Sequence, residues 1–128
     1  MKKEEIISAY RRYIACLNSQ DWENLDRHVA NNVKYNATAI GLDGYRDMIV
    51  DDFRAIPDLS FNIVFLVCDT PMIASRLAFD CTPVGRLFGL PVNGTRVRFE
   101  ENVFYEYREG KILNVWSVID KSAVAAQI

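Results

Sequence analysis

Apolar residues recur in the first half of the chain at the spacing of α-helices. In residues 3 to 17 they come every three or four positions with charges between them, which predicts an amphipathic helix. After the turn sequence NSQD, apolar residues from Trp22 to Val29 predict a second, shorter helix. The segment GLDGYRDMIVDDFRAI has helical spacing again and predicts a third helix, which ends before Pro57.

The pattern of the second half of the chain predicts strands. A short strand in NNVKYNATAI precedes the third helix, and LSFNIVFLVC, MIASRLAFDCT, RVRFEENVFYEY and ILNVWSVID, rich in β-branched and aromatic residues, follow it as an antiparallel meander. The loop PVGRLFGLPVNGT, residues 83–95, is long enough to suggest a functional role or a lid. We therefore predict an α+β fold in which three N-terminal helices pack on a strongly curved mixed or antiparallel sheet. This arrangement forms a cone around an apolar pocket, in a single domain spanning residues 1–128.

Composition narrows the functional classes. Half of the 128 residues are hydrophobic, a quarter are charged and the net charge is −2, so no basic stripe for nucleic acid is expected. Cys16, Cys68 and Cys81 lack C-x-x-C spacing, which argues against a disulfide framework or a metal site. Neither a signal peptide nor a membrane span is recognisable, and we expect a cytoplasmic protein.

A carboxylate on an apolar strand face is the first candidate for chemistry. In NVWSVID, alternation places Trp116, Val118 and Asp120 on one face. A carboxylate in apolar surroundings is costly unless it is paired, solvated or neutralised. Asp120 is therefore either an acid/base on the pocket wall or a strand-end residue that caps the C-terminal tail or pairs with Lys121 or Arg76 in solvent.

Two further strands offer polar candidates. The more apolar face of RVRFEENVFYEY carries Glu101, which we expect to point into the cone. Arg76 shares a face with Ala78 and Asp80. An inward Arg76 could contact a substrate carbonyl or hold Asp120 ionised, whereas the alternative is an ion pair with Asp80 or a neighbouring strand.

Aromatic residues supply the remaining pocket candidates. Tyr13 on the first helix could donate a hydrogen bond to an oxyanion, and Phe53, Phe88 and Trp116 could line a pocket for a flat apolar ligand. The alternative is that these aromatic residues form the core and a dimer interface.

An ordered set of motifs resembles the SnoaL-like polyketide cyclases, which are related to the ketosteroid isomerases. The motifs are YIACLNSQDWENL, GLDGYRDMI, IPDLSF, RLFGLPVNGTRVRF and YEYREGKILNVWSVID, and they cover roughly residues 5 to 125. The resemblance implies a cone with a deep apolar pocket, often dimerised through the outer sheet face. It also implies that an aspartate in a W-x-x-x-D setting, here Trp116 and Asp120, serves as acid/base for an aldol ring closure.

The chain departs from these families at four positions. Asn36 and Pro83 are the nearest matches to two histidines of the cyclases. Tyr13 matches the oxyanion-hole tyrosine of ketosteroid isomerases, while Ala37 and Val103 stand where those enzymes have a base and an aspartic acid. We therefore set steroid isomerisation by that mechanism aside.

These observations lead to two hypotheses. The first is an enzyme without metal or cofactor, in which Asp120 abstracts a proton α to a carbonyl and Tyr13, Asn36 or Arg76 stabilises the enolate. Its substrate is a small apolar carbonyl compound that undergoes ring closure or double-bond migration, with Phe53, Phe88, Glu101 and Trp116 lining the pocket. The second is a non-catalytic protein of the same fold that binds an apolar ligand. We expect a homodimer in either case.

Overall fold

The computed structural model describes the whole chain, Met1–Ile128, and begins with helices. Helix α1 spans Lys3–Asn18 and starts where the Lys2 N–H donates to the Glu5 carboxylate at 3.0 Å. A 3-10 helix, Trp22–Arg27, follows. The predicted second helix is thus shorter than expected, because Val29 already begins strand β1, Val29–Tyr35. Helix α2 spans Gly41–Ala55 and ends before Pro57, as predicted.

The strands form a five-stranded mixed sheet. Strands β2 (Asn62–Asp69), β3 (Met72–Cys81), β6 (Val97–Arg108) and β7 (Lys111–Ile119) are antiparallel neighbours in the order β7-β6-β3-β2. Strand β1 joins the edge of β7 in parallel. The predicted α+β fold with helices packed on a mixed sheet is confirmed.

A short hairpin and a short C-terminal helix complete the fold. The loop predicted at residues 83–95 contains a short hairpin of β4, Arg86–Leu87, and β5, Leu90–Pro91. After β7 a short helix α3, Lys121–Ala125, occupies the predicted tail. No helix combines the length and apolarity needed to span a membrane.

The two faces of the sheet differ in burial. On the inner face, which α1 and α2 cover, Leu77, Val103 and Val115 are 1–2% exposed. On the outer face, large apolar side chains are in contact with solvent, namely Phe65, Val67, Phe104, Trp116 and Val118. The core lies between the inner face and the helices, and the outer face has no covering layer.

A β-bulge in β7 reverses the predicted inward and outward orientation of its side chains. The pairing of Tyr107 with Ile112 and of Glu106 with Asn114 leaves Leu113 as an extra residue. Ile112 is fully buried, but beyond the bulge the inward positions are Val115, Ser117 and Ile119 rather than Asn114, Trp116 and Val118. The expectation that the face of Trp116 and Asp120 lines the interior is therefore wrong, because a one-residue insertion exchanges the two faces.

Candidate functional site

A cavity of about 130 Å³ lies between the inner face of the sheet and helices α1 and α2. Twenty residues line it, and eighteen of them are hydrophobic or aromatic. The other two are the carboxylates Asp52 and Glu101, and no lysine, arginine or histidine contributes to the lining. Its size corresponds to a ligand of about one aromatic ring, since engineered apolar cavities of about this volume bind benzene.

Glu101 reaches the cavity from β6. Its strand alternates regularly, so Glu101 lies on the same face as the buried Phe99 and Val103, as predicted. The Ser117 hydroxyl on the neighbouring strand donates a hydrogen bond to the Glu101 carboxylate. Burial raises the pKa of Glu101 above its ordinary value, and the hydrogen bond from Ser117 partly offsets this effect.

Asp52 reaches the same cavity from α2, although much of the residue is in contact with solvent. Desolvation by the surrounding protein and, to a smaller extent, the charge of Glu101 raise the pKa of Asp52 to about 7. A carboxyl group with this pKa changes its protonation state near neutral pH, which a general acid or base requires.

Tyrosine hydroxyl groups form the polar part of the inner wall. The hydroxyls of Tyr13 and Tyr45 lie 2.6 Å apart, and the Tyr10 hydroxyl donates to that of Tyr105 at 3.5 Å. Burial raises the pKa of Tyr13, Tyr45 and Tyr105, so these phenols stay protonated at neutral pH. Three of the four, Tyr13, Tyr45 and Tyr105, line the cavity and can offer O–H donors to a ligand oxygen.

Three of the residues predicted for the site do line this cavity. Tyr13 contributes from α1 and Glu101 from β6. Phe88 contributes from the β4–β5 hairpin, where it has a φ of 53° and packs edge-on against Phe99, with ring centroids 5.6 Å apart. The hairpin therefore closes one side of the cavity.

Asp120 lies outside the cavity. Its side chain is exposed and accepts a hydrogen bond from the Ala123 N–H at 3.1 Å, which caps the start of α3. It borders a separate, open groove beside Arg98 and Glu100. The expected place of Asp120 on the pocket wall is thus wrong, whereas the alternative of a residue that caps the tail matches this geometry.

Four other predicted residues also lie away from the cavity lining. Trp116 and Arg76 are on the outer face, where the Arg76 Nε donates to Asn102 at 2.9 Å and its guanidinium lies over Phe65. Phe53 is buried between Trp22 and Phe61 and belongs to the core. The Asn36 side chain is bonded to the backbone of Ser117. For Arg76, the alternative of an ion pair with a neighbouring strand matches the position of the Glu100 carboxylate, 4.0 Å from its Nε.

Asp52 was missed by the sequence reasoning, although its position gave a signal. Tyr45, Met48 and Ile49 belong to the apolar stripe of α2, which Ile56 continues directly after the helix. Asp52 lies on this stripe, four residues after Met48. A single carboxylate within an apolar helix stripe is the pattern that could have identified it. Most of the lining is aromatic or aliphatic and carries no such mark.

The comparisons with known proteins concern nearly the whole chain. A family model described as SnoaL-like polyketide cyclase matches residues 7–128. The chain belongs to the SnoaL-like polyketide cyclase family. The predicted family resemblance is confirmed. No curated protein matches the chain by sequence.

Solved structures of this family and fold superimpose along the full length of the chain. A SnoaL-like polyketide cyclase from Agrobacterium tumefaciens is 46% identical, with a TM-score of 0.94 and coverage of 99% of this chain and 98% of that chain. TsrD from Streptomyces laurentii is 21% identical, with a TM-score of 0.87 and coverage of 99% and 96%. IdmH from Streptomyces antibioticus, described as a putative polyketide cyclase, is 18% identical, with a TM-score of 0.82 and coverage of 99% and 98%. At these last two identities the likeness concerns the fold alone.

Proposed function

We propose that this member of the SnoaL-like polyketide cyclase family catalyses proton transfer at the carbon next to a carbonyl group of a small apolar compound, with Glu101 as the acid/base. One observation carries the proposal: the only two charged residues in an otherwise apolar cavity are carboxylates with raised pKa values. Carboxylates in apolar surroundings without a cationic partner oppose folding and are typical of catalytic sites. This assigns to Glu101 the role that the resemblance implied for Asp120.

In the proposed reaction, ionised Glu101 accepts the α-proton of the substrate. Its raised pKa strengthens it as a base. The electron pair of the broken C–H bond moves onto the carbonyl oxygen, which accepts a hydrogen bond from the hydroxyl of Tyr13 or Tyr45. The resulting enolate carbon attacks a second carbonyl of the same molecule to close a ring, or is protonated at another carbon to shift a double bond. Asp52, which lines the same cavity, returns a proton to the product from its protonated form.

The test uses deuterium uptake, because it requires no knowledge of the natural substrate. Aryl methyl ketones and cyclohexenones are incubated with the protein in D2O, and exchange at the α-carbon is followed by NMR. The wild-type protein should accelerate exchange, and Glu101→Gln should lower the enzyme-dependent rate by roughly 10²–10⁴-fold. Glu100→Gln is the matched control, since Glu100 is the preceding residue on the strand and its side chain is exposed on the other face.

The same assay separates Glu101 from Asp120. Asp120→Asn keeps a side-chain oxygen that can cap α3, so the fold should be preserved. Exchange at the wild-type rate in Asp120→Asn, combined with its loss in Glu101→Gln, supports the proposal. If Asp120→Asn loses the rate and Glu101→Gln retains it, the mechanism implied by the resemblance is the correct one.

A non-catalytic binding protein is the second candidate. It is favoured by the exposed position of Asp120, the residue for which the resemblance implies an acid/base role. This function predicts that ketone probes bind without any enzyme-dependent exchange. Calorimetric titration of the same probes into wild-type protein and Glu101→Gln distinguishes the two candidates, because a binding protein retains affinity in both and catalysis in neither.

A further inference from the structure

A tight turn directly after β1 brings Asn36 to the edge of β7. Tyr35 and Thr38 exchange backbone hydrogen bonds of 2.9 and 3.0 Å across this turn. Asn36 and Ala37 have positive φ values of 47° and 68°, which non-glycine residues seldom adopt and which asparagine tolerates best. The turn therefore holds two residues in an uncommon backbone conformation.

The side chain of Asn36 continues the pairing of β1 with β7. The backbone ladder ends where Tyr35 pairs with Val115 and the Asn36 N–H donates to the Val115 carbonyl at 2.8 Å. One step further, the Ser117 N–H donates to Asn36 Oδ1 at 2.8 Å, and Asn36 Nδ2 donates to the Ser117 carbonyl at 3.4 Å. A side-chain amide thus replaces a peptide group and binds the backbone of Ser117 on both sides.

Ser117 links this amide to the cavity. Its N–H and C=O point along the sheet toward Asn36, while its hydroxyl donates to the Glu101 carboxylate. A hydrogen bond to an ionised carboxylate favours the charged form, and its strength depends on the position of the donor. A shift of β7 at Ser117 would therefore move the only hydrogen-bond donor to Glu101.

We infer that Asn36 is a positioning residue that holds the Ser117 hydroxyl against the Glu101 carboxylate. It does not line the cavity and acts on Glu101 only through Ser117. A catalytic consequence rests on the proposed function of Glu101, but the structural coupling itself does not. Asn36, the nearest match to a histidine of the cyclases, thus acts on Glu101 from outside the cavity.

Other ionisable groups also face Glu101 and must stay constant in a test. Asp52 of α2 interacts with it electrostatically, and phenol groups approach it from four elements. These are Tyr10 of α1, Tyr35 of β1, Tyr45 of α2 and Tyr105 of β6 itself. Asp52, Tyr10, Tyr45 and Tyr105 have no hydrogen bond to Asn36 or Ser117. Tyr35 does contact the Ser117 side chain, so its phenol is followed alongside Glu101 in the Ser117→Ala variant.

The test measures the pKa of Glu101 by NMR titration of its side-chain carboxyl carbon. Ser117→Ala removes the donor and should raise the pKa by about 1–2, because the hydrogen bond from the hydroxyl favours the ionised carboxylate. Asn36→Gly keeps the positive φ favourable but removes the amide, and it should raise the pKa in the same direction by at least half as much. The double variant should show no more than the Ser117→Ala value, as expected for residues that act in series.

Ala37→Gly is the matched control. It relieves the second positive φ of the same turn without touching the amide, so the pKa of Glu101 should stay at the wild-type value. An unchanged pKa in Asn36→Gly, or equal shifts in Asn36→Gly and Ala37→Gly, would overturn the inference and leave Asn36 as a turn residue. Because the titration requires no turnover, these outcomes are independent of whether Glu101 catalyses proton transfer.

Discussion

Carboxylates on the outer face of the sheet have cationic partners, whereas those on the inner side do not. On the outer face, Asp80 accepts hydrogen bonds from Arg96 at 2.7 Å and from Arg98 at 3.2 Å, and chiefly the bond from Arg96 lowers its pKa to about 2. On the inner side, Glu101 has only a neutral hydroxyl as donor, and no cation lines the cavity. The carboxylates of the cavity thus lack the partners that the fold supplies outside.

This difference separates carboxylates that cost the folded state little stability from carboxylates that destabilise it. Exposed ion pairs such as Asp80 with Arg96 stabilise a protein little, but they cost little as well. Carboxylates with raised pKa values reduce stability at neutral pH, because the folded state holds protons that the unfolded state releases. Retaining such groups in an apolar cavity is the kind of local conflict expected at a functional site.

The strongest test of the comparison adds a new carboxylate to each face. Val103→Asp introduces an unpaired charge at a position that is 2% exposed, and we expect it to lower the free energy of unfolding by about 3–5 kcal/mol. Asn102→Asp, one residue earlier, would accept from Arg76 in solvent and should change it by less than about 0.5 kcal/mol. Urea titration at pH 8 measures both values, and similar losses for the two variants would refute the distinction between the faces.

The apolar residues of the outer face give the second test. We propose that a second copy of the chain covers this face, where Trp116, Phe104 and Val118 contact solvent in the single chain. Val118→Asp should weaken self-association by about a hundredfold or more, because a symmetric interface carries the new charge twice. Val84→Asp, which changes a valine in the hairpin loop that is 50% exposed against 70% for Val118, is the control. Sedimentation that shows a monomer for the wild type at all concentrations would contradict the proposal.

The tyrosine hydroxyls inside the cone provide a third, smaller effect. Tyr45→Phe leaves the Tyr13 hydroxyl without its partner at 2.6 Å and should cost about 1–3 kcal/mol of unfolding free energy. Tyr107→Phe removes a buried hydroxyl that has no hydrogen-bond partner, so it should be neutral or stabilising. Thermal and urea unfolding of both variants test this contrast, which fails if the two substitutions have equal cost.

The sequence supports the fold well because many residues contribute to each prediction. The boundaries of α2, the alternation of β6 and the inward position of Glu101 each follow from several consecutive residues. The site is harder to predict, because it depends on single residues. The bulge at Leu113 carries no glycine or proline signal, yet it exchanges the faces of β7 and moves Trp116 outward.

Contacts between distant segments set a second limit. The pairing of Asn36 with Ser117 joins residues 81 positions apart, and nothing in the local sequence KYNAT announces it. Asp52 could have been identified from the apolar stripe of α2, but its proximity to Glu101 requires the packed helix and sheet. The family resemblance does not supply these contacts either, since it pointed to Asp120.

The smallest expected effect concerns the pH dependence of stability. The folded-state pKa of Asp52, about 7, lies above its ordinary value of 3.8. The contribution of Asp52 to the free energy of unfolding should therefore be largest below pH 4 and fall as the pH rises to 7. Asp52→Asn removes this loss. The variant should match the wild type at pH 4 and exceed it at pH 8 by about 1 kcal/mol, after allowance for solvent screening of this partly exposed group.

Asp51→Asn is the matched control for this last prediction. Asp51 is the adjacent residue on α2, but it is exposed and pairs with Arg54 at 2.9 Å, as the carboxylates of the outer face pair with arginines. Its substitution should reduce the slope of stability against pH between 4 and 8 only slightly, because the charge of Asp51 is the smallest of the causes that raise the pKa of Asp52. Unfolding measured at both pH values for the two variants therefore compares a carboxylate at the cavity with a paired one on the same helix. Equal slopes would show that the cavity imposes no cost on its carboxylates.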